Sequence, residues 1–456
     1  MSSQSNVGPT RALAELVAGQ ATDAIPAWAL HEAKRTLINV LAVSLSGTRE
    51  APSRALTNWV RAQGGSVRAT AFGGLRTSPS RAALLNGYLA HIEDYDDTHI
   101  PTILHPSAPV WPAVLAVAED RGLGGRETLA AFALGMEVAC RVAMSVYPWH
   151  YEQGWHITGT AGIFGGAAGA GRALGLDPVR LTHAFGLAGT HASGLREAMG
   201  SHTKAMHPAR AASTGLESAE LAEADLTGPD DIIGGRRGFW AIHSHEGHSE
   251  EQLLGQWGER WELGKNGLKP YANGVVAHPL QDAVIQLRNE HGLKPEQVAS
   301  LAFRVNPLVV ELMGRPEPRT GFDGKFSYRH CVAAGLVDGA GHGAQFTDER
   351  VVAPEIVRVR SLITETTDPA IAEDETHLVI TLTDGRTLEK HIEHATGSPE
   401  NPMSDAMLEL KFRASATTVL AEDQAERLLS AAWSLDEATS VDELMRLTVI
   451  ASVAAG

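Results

Sequence analysis

A chain of 456 residues exceeds what one hydrophobic core usually supports, so two or three domains are expected. Hydrophobic residues at 43% and charged residues at 20% are globular values and exclude a disordered chain. The 38 basic against 54 acidic residues leave a net charge of −16, which disfavours nucleic acid or an anionic membrane as partner but permits a small anionic substrate held in a local nest of His, Lys and Arg.

The N-terminus, "MSSQSNVGPTRALAELVAG", has neither a secretory nor a transit pattern, and no window reaches 18 uninterrupted apolar residues. A cytoplasmic protein without membrane spans is expected. From about residue 9 to about 265 apolar residues recur at three- and four-residue spacing, with Ala-rich stretches such as "ALHEAKRTLINVLAVSLSG" and "APVWPAVLAVAEDRG", so the spacing predicts helices nearly throughout. In "LGLDPVRLTHAFGLAG", Gly175 closes one helix, Asp177 can cap the next and Pro178 suits its first turn.

Within this region residues 91–106, "HIEDYDDTHIPTILHP", combine Glu93, Asp94, Asp96 and Asp97 with His91, His99 and His105. Three readings are open: a metal cage, a solvated acidic turn, and an acid–base site without metal. Hard cations favour clustered carboxylates, and "DYDD" resembles the aspartate-rich helix motif of all-α terpenoid synthases, but no second metal-binding motif accompanies it. A solvated turn explains the carboxylates better than the interspersed histidines. Cys140 and Cys331, the two cysteines, lie in apolar segments and read as buried packing residues in a reducing compartment.

Further along, "GWHITGTAGIFGGAAGAGRALGL" puts His156 ahead of a helix so rich in Gly and Ala that it must pack very close to its neighbours. The glycines do not have dinucleotide-binding spacing. His156 is expected at a helix N-terminus, where backbone N–H groups favour an anion. In "SHTKAMHPARAA", Lys204, His207 and Arg210 follow at three-residue intervals and would share one face if this stretch opens a helix; an ordinary basic stripe is the plainer reading. "IHSHEGHSE", with His243, His245 and His248, reads as a solvated loop rather than a metal site.

After Pro270 β-branched residues increase in "VASLAFRVNPLVVEL" and "HLVITLTDGRTLEKHIEH", the second alternating around a two-residue hairpin turn at Asp384-Gly385. His278 opens this region in "AHPLQDA", and from Ser404 the pattern is helical again. The expected fold is therefore mostly α: a large all-helical domain (1–268), an inserted smaller α+β domain (269–402) and C-terminal helices (403–456) returning to the first domain, with a site at the seam between them.

These clusters, in this order, resemble the MmgE/PrpD family of 2-methylcitrate dehydratases, cis-aconitate decarboxylases and an iminodisuccinate epimerase. The likeness runs from about residue 10 to about 445 and includes "NGYLAHIEDYDDTHIPTILHPSAPVWPAVLAVAE", "GLREAMGSHTKAMHPARAA", "DLTGPDDIIGGRRGF" and "KFSYRHCVAAGLVDG". The resemblance implies a helical domain with an α+β lid, a homodimer, and neither metal nor other cofactor. It also implies site residues Asp94, Thr98, His105, His156, Lys204 and His278.

A substrate with two or three carboxylates needs cations, which Lys204, His156 and His278 can supply together with His207 or Arg210. Lys204 and protonated histidines would stabilise the enolate-like charge of the transition state. Asp94 and His105 would transfer protons, and Thr98 would orient a carboxylate or a departing hydroxyl, with Asp96 and Asp97 structural. The function expected is a metal-independent lyase of a small di- or tricarboxylate, acting by dehydration or decarboxylation. An epimerase of a dicarboxylate such as iminodisuccinate is the alternative. A metal-dependent all-α enzyme using residues 94–97 and a non-catalytic dicarboxylate binder are the rivals outside that class.

Overall fold

The helical periodicity of the first 266 residues and of the last fifty or so produces one unit in the computed structural model, which describes residues 7–244 and 246–451. This unit takes the chain up to Ile92, then Asp96–Asn266, then everything from Asp405. Its main helices are α1 (Ala27–Gly47), α2 (Pro79–His91), α3 (Ser107–Arg121), α4 (Gly125–Met144), α5 (Gly162–Ala173), α6 (Pro178–Gly189) and α7 (Met206–Glu223). Asp177 caps α6 by accepting from the amides of Val179 and Arg180, with Pro178 at the first position. Gly175 stands at φ 70°, the left-handed conformation that ends the preceding helix.

The Gly-Ala helix α5 packs against α3, α4 and α7. A Cβ on Gly165 would meet Ala139 Cβ at 2.6 Å and the Gly135 carbonyl oxygen at 2.7 Å, and one on Gly215 of α7 would meet the Ala167 nitrogen at 2.7 Å. The backbones touch, so the small residues are a packing requirement, as their composition suggests. Gly165→Val should therefore overpack this contact and cost about 1–3 kcal/mol or more, read as a lower urea midpoint. An unchanged midpoint would mean that α4 and α5 separate freely. Nearby, Trp111 of α3 stacks on Phe132 of α4 at 4.0 Å and donates its indole N–H to Thr36 of α1 at 3.0 Å, tying three helices together.

The C-terminal helices Asp405–Ala416 and Glu422–Trp433 belong to this same unit. Lys411 reaches α1, donating to Asn39 Oδ1 at 2.7 Å.

The second unit comprises Glu93–Tyr95 and Gly267–Ser404. Its sheet has strands β1 (Val298–Val305), β2 (Ile363–Thr367), β3 (Thr376–Leu382) and β4 (Thr387–Ile392) in the order β2-β1-β3-β4. β1 pairs parallel with β2 and antiparallel with β3, and β4 closes the antiparallel edge. Alternate residues of β3, Thr376, Leu378, Ile380 and Leu382, are buried. They lie on the side where α8 (His278–His291) packs, itself against α9 (Tyr328–Asp338). The Asp384-Gly385 signal does mark the β3–β4 hairpin, but the turn is longer than two residues. The Leu382 amide bonds the Arg386 carbonyl, leaving Thr383, Asp384 and Gly385 in the loop, with Gly385 at φ 88°.

The fold is thus mostly α with one small sheet-containing domain. Both cysteines are buried free thiols. Among the described residues no helix is long and apolar enough to cross a membrane. The "IHSHEGHSE" loop is less solvated than its composition implies. His243 is buried, bonds the Ala192 carbonyl at 3.2 Å and stacks on Phe239, while His248 stacks on Trp240. His245 lies outside the described residues.

Candidate active site

Four histidines from distant segments converge in the helical unit. α2 ends on His91; the loop that follows delivers His105 just before α3 begins; His156 precedes a single helical turn, Ile157–Thr160; His207 stands in the first turn of α7. Ring centroids are 4.5 Å apart for His91 and His105, 6.3 Å for His105 and His156, and 4.9 Å for His156 and His207. One nitrogen from each of His91, His105 and His156 lies within 4.8 Å of the others, and all three residues are buried.

The hydrogen bonds decide which nitrogens carry protons. His105 Nδ1 lies 2.8 Å from the Asp97 carbonyl, which can only accept, so Nδ1 holds a proton. Thr98 Oγ1 is 3.3 Å and Asp96 Oδ1 3.6 Å from the same Nδ1. His91 Nδ1 donates to Asp96 Oδ2 at 2.7 Å, forming a fully buried His–Asp dyad. His156 and His207 share one proton between their Nδ1 atoms across 2.7 Å. The Nε2 atoms of His91 and His156 are buried and have no hydrogen-bond partner among the described residues.

Electrostatics corrects one expectation here. Burial, then the charges of Lys204, His207, His91 and His105, push His156 well below the ordinary imidazole range. Burial, with His91 and Lys204, lowers His207 to about 4. Both rings are therefore neutral near pH 7 in the unliganded protein, not the protonated histidines expected from charge chemistry alone. Lys204 is buried in the turn before α7 and is the lysine whose charge both rings feel. Because α7 begins only at Met206, Lys204 lies outside the helix, and only His207 and Arg210 of the three stand at i,i+3 positions within it. Arg210 is exposed.

Asp96 orients His91, and Asp97 accepts from Ser107 and, at 2.8 Å, from Asn266. Burial and the neighbouring Asp96 raise the Asp97 carboxyl to about 6. His99 is held between Thr102 at 2.8 Å and Glu262 at 3.2 Å, a structural role.

Asp94, expected on the helical domain, falls in the second unit. It stands at φ 52°, a left-handed conformation that aspartate tolerates better than most residues. Its carboxylate accepts from the buried Lys269 at 2.7 Å, and Lys269 also bonds the Asp94 carbonyl at 3.0 Å. Tyr95 is tied to the same unit through the Pro270 carbonyl at 3.0 Å and His342 at 2.8 Å. His278 opens α8, buried, with its ring edge-on to Tyr271 at 5.4 Å; the Tyr271 hydroxyl donates to Asp282 at 2.5 Å. His91 and Lys269, which these contacts add to the candidate site, are not among the site residues that the motifs single out. The run of three histidines in 91–106 was the available signal for His91, whereas Lys269 in "GLKPYANG" has none.

Buried histidines whose Nδ1 protons are placed by their acceptors, a buried lysine and carboxylates that orient the rings are groups that can exchange protons and meet an anion. Family models for the MmgE/PrpD N-terminal domain and the MmgE/PrpD C-terminal domain match residues 11–252 and 271–437. The chain belongs to the MmgE/PrpD family and is an enzyme of that family's type, a lyase or an isomerase. It is similar to the cis-aconitate decarboxylase of Mus musculus, 27% identical over 459 residues that cover 96% of this chain and 93% of the relative. The cis-aconitate decarboxylase of Homo sapiens is 26% identical over 440 residues, 92% of this chain and 90% of the relative. That of Aspergillus terreus is 25% identical over 482 residues, covering 98% and 96%.

Proposed function

We propose that the protein decarboxylates an unsaturated tricarboxylate of the cis-aconitate kind, by proton transfer without a metal. The observation that carries this reading is the buried convergence of His91, His105 and His156 beside Lys204, in a chain whose relatives along nearly its whole length are cis-aconitate decarboxylases. In the reaction the C–C bond to one carboxylate breaks and carbon dioxide leaves. The electron pair moves into the carbon framework conjugated with a remaining carboxylate, and a proton then closes the valence.

His105, with Nδ1–H fixed on the Asp97 carbonyl, exchanges that proton at Nε2, and Asp96 supports its cationic form. Lys204 stabilises the developing enolate-like charge. If His207 donates its Nδ1 proton to His156, the Nε2–H of His156 becomes a donor for a substrate carboxylate. Thr98 positions His105. Asp94 and His278 keep the roles that the family resemblance implies, proton transfer and substrate binding.

Purified protein incubated with cis-aconitate, citrate, 2-methylcitrate and iminodisuccinate in deuterated water, followed by NMR and carbon dioxide release, tests the reading. A deuterated alkene product with one carboxylate fewer is expected from cis-aconitate. Water loss from a hydroxy acid without carbon dioxide would make the enzyme a dehydratase, and exchange without net conversion would make it an epimerase. EDTA should leave the rate unchanged. A loss of rate that zinc restores would instead seat a metal on His91, His105 and His156.

The neutral state of His156 and His207 has a measurable consequence. A bound polycarboxylate raises both from their depressed values, because an opposite charge favours the protonated ring. Binding then takes up protons, so affinity for a non-reacting tricarboxylate should strengthen as pH falls from about 8 towards 5. Calorimetry in buffers of different ionisation enthalpy measures the uptake. Zero uptake with pH-independent affinity would show that these rings do not face the substrate.

A further inference from the structure

The polar face of the sheet in the second unit carries another histidine cluster. His377 on β3 and His391 on β4 stand directly opposite in the antiparallel register. Their rings stack with centroids 4.0 Å apart and planes within 2°. Glu375 lies two residues before His377, hence on the same face. Its Oε1 is 2.9 Å from His391 Nε2 and 3.4 Å from His377 Nε2, and its other oxygen accepts from the Ala372 amide at 3.1 Å.

One carboxylate oxygen bridging two imidazole N–H groups would account for these distances without an ion. The nitrogen–oxygen spacing also suits metal ligation once one ring turns out of the stack, because parallel rings cannot both hold one ion in their planes. Bonds of about 2.0–2.1 Å in tetrahedral geometry put neighbouring ligand atoms about 3.3 Å apart, between the two His–Glu separations seen. All three donor atoms lie within 4.8 Å of one another, and two imidazoles with one carboxylate suit a borderline divalent ion. Two of the ligands are held by a paired strand register, and His391 is exposed, so an ion has access.

The surrounding charge permits a cation. Arg304 opposes His377 on the neighbouring strand but is 3.9 Å from Asp368; Glu389 precedes His391 by two residues on the same face; Lys390 is engaged by Glu290 at 2.6 Å.

We propose that Glu375, His377 and His391 form a surface site for a divalent ion of the zinc type, separate from the catalytic histidines, with water completing the coordination. Bound there, the ion links β3 to β4 at the open edge of the sheet.

The test is calorimetric titration of Zn²⁺ into the full chain after EDTA treatment and desalting. His391→Ala and Glu375→Gln should each remove one equivalent of bound zinc or weaken it at least about tenfold. His394→Ala, which alters the neighbouring His394–Asp374 pair, should not. Turnover should be unchanged in all three variants. Cu²⁺ as a probe should give an EPR spectrum with coupling to two nitrogens, lost in the His377→Ala/His391→Ala double variant. Absence of zinc binding by the wild type, or the same stoichiometry and affinity in His391→Ala, overturns the site.

Discussion

His105→Ala should lower turnover on the tricarboxylate by about 10²–10⁴-fold, the usual contribution of a placed proton-transfer group. The geometry makes this residue specific: its Nδ1–H is fixed by the Asp97 carbonyl at 2.8 Å, so only Nε2 is available for exchange. Folding should be little affected, because the His105 backbone amide still donates to Thr158 at 3.1 Å whatever the side chain. Added imidazole should recover part of the rate by entering the vacated space. Near-normal turnover would take proton transfer away from His105 and direct attention to the His91–Asp96 dyad.

Lys204→Ala should cost about a hundredfold or more in kcat, the scale seen when one preorganised electrostatic donor is removed. Lys204→Arg should recover only part of it, since a planar guanidinium does not occupy the position of a compact ammonium. A second readout separates the charge from any structural role. The charge of Lys204 helps hold His156 and His207 in their neutral forms, so both rings should titrate at higher pH in Lys204→Ala, as followed by histidine NMR. Lost turnover with unmoved histidines would mean that the lysine shapes the turn before α7 rather than the field. Normal turnover would remove it from the mechanism.

The sequence by itself determined the mostly helical class, the small sheet near the C-terminal end and the family, because these depend on local order. Apolar spacing, the Asp177-Pro178 cap and the alternation around Asp384-Gly385 are written in neighbouring residues. The close packing of α5 was legible for the same reason: a helix made of Gly and Ala has no side chains with which to keep its neighbours away. The candidate histidines and Lys204 could be named from motif order, but their chemical states could not.

Tertiary structure alone decided those states. The neutrality of His156 arises first from burial and then from a charge 48 residues away in sequence, at Lys204. The tautomers of His105 and His91 depend on which acceptor the fold brings to Nδ1, a carbonyl in one case and a carboxylate in the other. Arg210 is set apart from Lys204 by the point at which α7 starts, a matter of two residues that spacing could not locate. The pairing of Asp94 with Lys269 joins positions 175 residues apart, and no local pattern encodes it. Proton positions and pKa values follow from dielectric and distance, and both exist only once the chain has folded.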